Sequence, residues 1–149
     1  MAGIINISEA TALALHALIY LEAQDDERVT THEMAEGFKA SEAHLAKVMQ
    51  RLVKAGYVES VRGPGGGFRP AAECGSITFH DIYELFEGPL GRHVCLFNKP
   101  VCNGHCIMGD LLHDVQKLVS SYMKNTTLCN AAIMMKEGRI RVGTDYSEN

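Results

Sequence analysis

Leu52-Val53-Lys54-Ala55-Gly56-Tyr57-Val58-Glu59-Ser60-Val61-Arg62-Gly63-Pro64-Gly65-Gly66-Gly67-Phe68 is the stretch on which the fold turns. It opens as the end of a helix, stops at Gly56, and resumes as the alternating strand Tyr57–Val61. Phe68-Arg69 can begin a returning strand. The link between them, Arg62 to Gly67, is glycine-rich, supple and bordered by Arg62 and Arg69, so nothing about it suits a core. A helix followed by such a hairpin reads as a wing. It is not a phosphate-cradling nucleotide loop, because no Lys-Ser/Thr pair follows the glycines.

Upstream, Leu45, Val48, Met49, Leu52 and Val53 form the apolar stripe of an amphipathic helix with Ser41 as its N-cap. The other face carries His44, Lys47, Gln50, Arg51 and Lys54. Before it, Thr30 and Glu33 make a capping box that starts a short helix, expected to end at Gly37. A short helix, a tight turn and a second helix with a cationic outer face make a helix-turn-helix. A first helix from Ser8 to Gln24 is apolar nearly all round, which predicts packing on more than one side. Asp25-Asp26-Glu27 reads as a solvated link.

Downstream, Thr78 and Asp81 cap a helix with Ile82, Leu85 and Phe86 on one side, ending at Gly88. Residues 89–106 hold Pro89, Gly91, Pro100 and Gly104 with little periodicity, and so long a loop in a small domain is often functional. A long helix is expected from Ile107 to Lys124. Leu112, Val115, Val119 and Tyr122 recur at coiled-coil spacing, widened by Leu111 and Leu118, so it should pack against a copy of itself. Thr126 is expected to start a last short helix, with a frayed tail from Gly138. The fold class is therefore mainly α with a small β-hairpin wing. A winged helix-turn-helix domain (residues 1–88) precedes a cysteine-containing loop (89–106), a dimerisation helix with a short returning helix (107–136) and a flexible tail (137–149).

The 149-residue chain is 46% hydrophobic and 21% charged, as expected of a globular protein rather than a disordered one. No apolar run approaches the roughly 20 residues that span a bilayer, and Met1-Ala2-Gly3 does not open like a signal peptide. A cytoplasmic protein with no membrane partner is the expectation. The net charge of −4 looks wrong for a nucleic-acid binder, yet five basic residues face two acidic ones between Ser41 and Pro70. That leaves one basic face on an acidic chain, which is compatible with a local phosphate footprint. No Ser-His-Asp or paired-carboxylate constellation stands out, so an enzyme is not expected. The methionines read as core filling.

Five cysteines is an odd number. Cys95, Cys102 and Cys106 gather on the Gly/Pro-rich loop, and in a reducing cytoplasm such a trio reads as metal-binding or redox-active rather than as a disulfide scaffold. His93 and His105 stand beside it as local ligands, and either would complete a three-cysteine, one-histidine set that also suits structural zinc. Zinc sites usually contain a C-x-x-C knuckle, and none is present. Cys74 and Cys129 lie outside the loop and read as small buried residues.

Taken together, the Leu52–Phe68 passage, the cysteine loop before a long helix, and Asn125-Thr126-Thr127-Leu128 resemble the Rrf-type winged-helix transcription regulators, the IscR/NsrR-like iron–sulfur family. The likeness covers nearly all of residues 4–136. It implies a homodimer with crossing long helices that binds double-stranded operator DNA. It also implies an iron–sulfur cluster on Cys95, Cys102 and Cys106, sensing redox state, nitric oxide or iron status. The spacing C-x6-C-x3-C has a shorter second interval than those relatives show. By position His16 is the first candidate for a fourth ligand, supplied by the opposite subunit to a 2Fe–2S cluster, with 4Fe–4S as the other type and His105 as the other ligand. The bland alternative for His16 is a packed helix residue bonded to a backbone carbonyl.

On the DNA side, Ser41, His44, Lys47 and Arg51 are expected at the major groove or its phosphates, with Arg62, Gly65 and Gly66 on the wing. Ala43 and Ala46 fall where IscR carries polar base-reading side chains, so the operator should differ. The competing reading is a zinc-stabilised DNA-binding or interaction module without a sensing cluster.

Overall fold

Side-chain caps at Ser8, Thr30, Ser41, Thr78 and Thr127 start five of the six α-helices among the described residues. The computed structural model describes residues 5–25, 27–71, 73–91, 95–97, 99, 101–103 and 105–140. His93, Pro100, Gly104, the first four residues and the tail beyond 140 lie outside them.

Helix α1 (Glu9–Ala23) starts at Ser8, whose hydroxyl accepts the Thr11 N–H. As its all-round apolar sequence predicts, it buries Leu13, Ala14, Ala17, Leu18, Ile19 and Leu21. It is the central strut, packed against three other helices and the hairpin. Helix α2 (Thr31–Phe38) carries the expected box: Thr30 caps the Glu33 N–H, and the Glu33 carboxylate accepts from the Thr30 N–H at 2.7 Å. Those bonds favour the charged form of Glu33 and lower its pKa. The helix runs one residue beyond Gly37. Lys39, not the glycine, takes the left-handed conformation (φ 52°), because its N–H must reach back to Ala35 and Glu36 before the chain turns into Ser41.

Helix α3 (Glu42–Lys54) buries Leu45, Val48, Met49 and Leu52, with Val53 half-buried at the edge. Gly56 follows at φ 83°. Strands β1 (Val58–Val61) and β2 (Gly67–Pro70) pair antiparallel, with Glu59 opposite Arg69 and Ser60 opposite Phe68. Val29 adds a third backbone position to the hairpin, exchanging both of its bonds with Phe68 at 3.1 and 2.8 Å. A 3-10 turn (Cys74–Ser76) leads into α4 (Phe79–Glu87), which starts on the Thr78/Asp81 capping box.

Helix α5 (Leu111–Asn125) begins four residues later than expected. Residues 107–110 form a turn instead, with Gly109 at φ 55° donating to the Cys106 carbonyl at 2.9 Å. Leu112 and Met123 are buried on the side of α5 facing the domain, Val115 and Val119 are half-buried, and Leu118 (70% exposed) and Tyr122 (63%) lie open. Helix α6 (Leu128–Lys136) is capped by Thr127 rather than Thr126. Thr126 serves the previous helix: its hydroxyl donates to Tyr122 O at 2.8 Å, and its carbonyl accepts the Phe79 N–H at 2.9 Å. Helix α6 then returns along α1 and buries Leu128, Ala131 and Ala132 in the same core. No helix of the described residues is long and apolar enough to cross a membrane.

Candidate nucleic-acid interface and cysteine loop

The helix-turn-helix presents the N-terminal end of α3. Ser41 is exposed there, its oxygen occupied by the His44 N–H at 3.3 Å while its own hydroxyl proton stays available to a phosphate. His44 is half-buried, with Nδ1 3.6 Å from Glu9 Oε2. Lys47 and Gln50 are exposed one turn further on. Glu42, the acidic residue at this end, is partnered by His32 across the turn: Nδ1 lies 3.2 Å from Glu42 Oε2, and Nε2 lies 3.6 Å from Glu36 Oε1. The bond to Glu42, then the charge of Glu36, raise the His32 pKa above its ordinary 6.5.

Arg51, expected at the major groove or its phosphates, is engaged within the domain. Its guanidinium donates to Leu85 O at 2.6 Å and sits 4.8 Å above the Phe86 ring, so the base of α3 is strapped to the end of α4. The next residue, Glu87, accepts from the Ser8 N–H at 2.8 Å and from the Thr11 hydroxyl. Burial pushes its pKa up, but these bonds and the Arg51 charge outweigh that and the net shift is downward. Thr11 is wholly buried, and its hydroxyl is satisfied by this carboxylate together with Ser8 Oγ at 3.2 Å.

On the wing, Arg69 is committed to Glu59 at 2.7 Å, which leaves Arg62, exposed, as the cation nearer the tip. Gly66 and Gly67 are required sterically: a Cβ at 66 would stand 2.4 Å from Val61 O, and one at 67 2.8 Å from Val29 O. Gly65 is exposed, and its carbonyl accepts from Arg28 at 3.2 Å. Arg28 and Val29 therefore hold the wing to the body. Sequence reading missed both, and the signal was a lone basic residue and a β-branched one directly after an acidic link.

The loop thiols are free, with Cys95 half-buried and Cys102 and Cys106 exposed. The donor chemistry suits an iron–sulfur cluster, since three free thiols lie within a short span. Among the described residues, however, no three His, Cys, Asp or Glu side chains converge. His105 is exposed beside Cys106. His16 is exposed on α1, packed edge-on against Phe38, with Nδ1 2.7 Å from the Ala12 carbonyl. A carbonyl can only accept, so Nδ1 donates, and in the neutral ring the lone pair is left on Nε2. That is the arrangement in which metal-binding histidines are usually held. The remaining two cysteines are not independent inert residues: half-buried Cys74 and Cys129 form a disulfide, with Cα atoms 4.9 Å apart.

Against known proteins, residues 7–132 match the profile of the Rrf2 family, described as an iron-dependent transcriptional regulator. A protein of Aquifex aeolicus, assigned by inference as an HTH-type transcriptional regulator, is 36% identical over 125 residues, covering 81% of this chain and 87% of its own. The HTH-type transcriptional regulator NsrR of Geobacillus kaustophilus is 32% identical, covering 73% and 77%. Among solved structures, CymR, the global cysteine regulator of B. subtilis, superposes with a TM-score of 0.72 at 25% identity, covering 87% of this chain and 97% of CymR.

Proposed function

The chain belongs to the Rrf2 family of transcriptional regulators, a non-enzymatic family of DNA-binding regulators, and from that premise we propose a homodimer that reads operator DNA and senses through an iron–sulfur cluster. The observation that carries the sensing half is the position of three free thiols, Cys95, Cys102 and Cys106, on the connection from the winged domain to α5.

In this reading α3 enters the major groove by its N-terminal end, with Ser41, His44 and Lys47 at the bases and phosphates. Arg62 reaches the neighbouring minor groove, and Gly65 and Gly66 let the wing backbone approach. Arg51 holds α3 in place from behind. The open Leu118–Tyr122 face of α5 packs on a second copy. Cys95, Cys102 and Cys106 would hold the cluster, with Nε2 of His16 from the other subunit as fourth ligand and His105 as the local substitute. When bound, the cluster supplies a redox-active, oxidant- and nitric-oxide-reactive centre. The chain's own part is to convert the order of residues 89–106 into the pose of the two reading heads. DNA then favours one pose, so sensing and operator affinity are reciprocally linked.

Anaerobic purification tests this directly, with iron, acid-labile sulfide and visible absorption measured on the same sample and the dimer checked by sedimentation. Near-equal iron and sulfide, with bands bleached by dithionite, are expected. Zinc in their place, or no metal after anaerobic reconstitution, would reject the cluster and leave the zinc-stabilised module.

A further inference from the structure

Cys74 and Cys129 stand 55 residues apart in sequence and meet where the chain leaves and re-enters the winged domain. Cys74 opens the 3-10 turn between β2 and α4, and Cys129 lies in the first turn of α6. The surrounding backbone is already joined. Phe79 N–H donates to Thr126 O at 2.9 Å, Leu128 N–H donates to Ile77 O at 3.0 Å, and Thr78 and Thr127 form an antiparallel bridge. The thiols are thus brought into register by backbone bonds that the disulfide then reinforces. Helix α4, the loop carrying Cys95, Cys102 and Cys106, and α5 all lie within the segment that the bond closes.

We propose that Cys74 and Cys129 are a reversible thiol–disulfide site, separate from the loop thiols, that locks the root of the α4–loop–α5 arm when oxidised by a small-molecule disulfide of the glutathione type. A transcription regulator works where its DNA is, in a compartment that keeps thiols reduced. Disulfides there are characteristically transient and sensing rather than permanent. Access suits exchange: both cysteines are half-buried, and the exposed Gly75 beside Cys129 Sγ adds no side chain over the sulfur. One thiolate attacks the small disulfide and releases one small thiol. The second protein thiolate then displaces the other. The small disulfide's S–S bond breaks and takes up two electrons, the protein S–S bond forms, and the two thiol protons leave with the two released small thiols. Oxidation fixes the angle at which α5 leaves the domain. Reduction leaves that junction on its backbone bonds alone. The consequence for operator affinity rests on the dimeric reading given above, whereas the switch itself does not.

The test uses the full chain carrying Cys95→Ser, Cys102→Ser and Cys106→Ser, so that no cluster contributes, equilibrated across ratios of reduced to oxidised glutathione. Differential alkylation and mass spectrometry follow the pair, and hydrogen exchange follows the Phe79 and Leu128 amides. A single two-electron transition within the tested ratios is expected, with exchange at those amides rising about tenfold or more on reduction. Affinity for a duplex selected from a randomised pool by the reduced chain should change about fivefold or more between the two forms, and Cys129→Ser or Cys74→Ser should remove the difference. A bond that never forms, or one that persists at every ratio, overturns the switch. So does a transition that leaves amide exchange unchanged. If exchange responds but no duplex is ever bound, the DNA-reading proposal fails and the switch stands.

Discussion

Arg51 and Lys47 lie one turn apart on α3, and the proposed reading gives them opposite work. Arg51 gives one charge-assisted hydrogen bond to Leu85 O and one stacking contact to Phe86. A hydrogen bond from a charged donor contributes about 1.5–3 kcal/mol where it is shielded, and an exposed cation–π contact about 0.5–1 kcal/mol. Because the Arg51 side chain is exposed, the low end applies, and Arg51→Ala should cost about 1.5–2 kcal/mol. For a chain of this size that lowers Tm by about 3–8 °C. Lys47 is exposed and touches nothing that sets stability, so Lys47→Ala should stay within about 0.5 kcal/mol of the parent. The DNA side reverses the order. Each neutralised phosphate contributes about 0.9 to the slope of log affinity against log salt. Because the proposed dimer carries two copies, Lys47→Ala should flatten that slope by twice this amount, roughly 1.8, and Arg51→Ala should leave it alone even where affinity falls. Thermal unfolding and salt-titrated fluorescence anisotropy on the same preparations measure both quantities. An Arg51→Ala protein with parental Tm and a slope flattened by about 1.8 would refute the strap and return Arg51 to the phosphates.

His32 should titrate by NMR with a midpoint above 6.5, and Glu42→Gln should bring it back towards that value. Its folded pKa is raised, so whatever it adds to the α2–α3 turn is fully present below 6.5 and fades as pH rises through the folded value. Glu87 has the opposite sign. Its lowered pKa makes its contribution present above 4.5 and lost as pH falls through the folded value, visible as an acid-side fall in urea midpoint that Glu87→Gln abolishes. Thr11→Val removes one of that carboxylate's donors and should cost about 1 kcal/mol by urea unfolding. Gly67→Ala places a Cβ 2.8 Å from Val29 O at φ 151°, and should cost about 1–3 kcal/mol while weakening DNA binding through a displaced wing.

What could be read from sequence was what local chemistry determines. Thr30/Glu33 and Thr78/Asp81 each bond within one turn of chain, so their spacing alone identified the helix starts. The Leu45–Leu52 stripe and the glycines of the wing were legible for the same reason. Helix ends were read less well where two neighbours compete for one job. Thr126 and Thr127 are both able caps, and only the Phe79 bond, 47 residues away in the chain, hands Thr126 to α5 and Thr127 to α6. Gly37 looked like a stop, but the geometry of the turn into Ser41 put the left-handed residue at Lys39. The site divides in the same way. The loop cysteines and the cationic face of α3 are visible as composition. The Arg51–Phe86 strap, the Arg28–Gly65 tie and the Cys74–Cys129 pairing join residues far apart, and no period or motif marks them.

Those long-range ties have a common consequence for how a signal on the loop can reach DNA. The loop begins at Pro89, two residues after Glu87, and Glu87 is anchored to Ser8 and Thr11 at the start of α1. Two residues earlier, Leu85 and Phe86 grip Arg51 on α3. Helix α4 is therefore fixed at its far end to both the central strut and the reading helix, and at its near end to the α5–α6 junction through Thr126. A loop that changed shape could not pull on α3 alone without breaking the Glu87 anchor, which would cost the wholly buried Thr11 hydroxyl its carboxylate and leave it only Ser8 Oγ. The softer direction is outward, through the turn at residues 107–110, where Asp110 starts α5 without a side-chain cap bond. On the proposed reading, signalling then moves α5 relative to an intact reading head and changes the distance between two heads rather than the shape of either. Half-site spacing should accordingly be the variable to which the sensing state is most sensitive. Duplexes with the half-sites moved apart by one base pair at a time should rank differently for the cluster-loaded and cluster-free proteins. Identical rankings, with affinity lowered uniformly, would instead place the change inside the head, at the Arg51 strap.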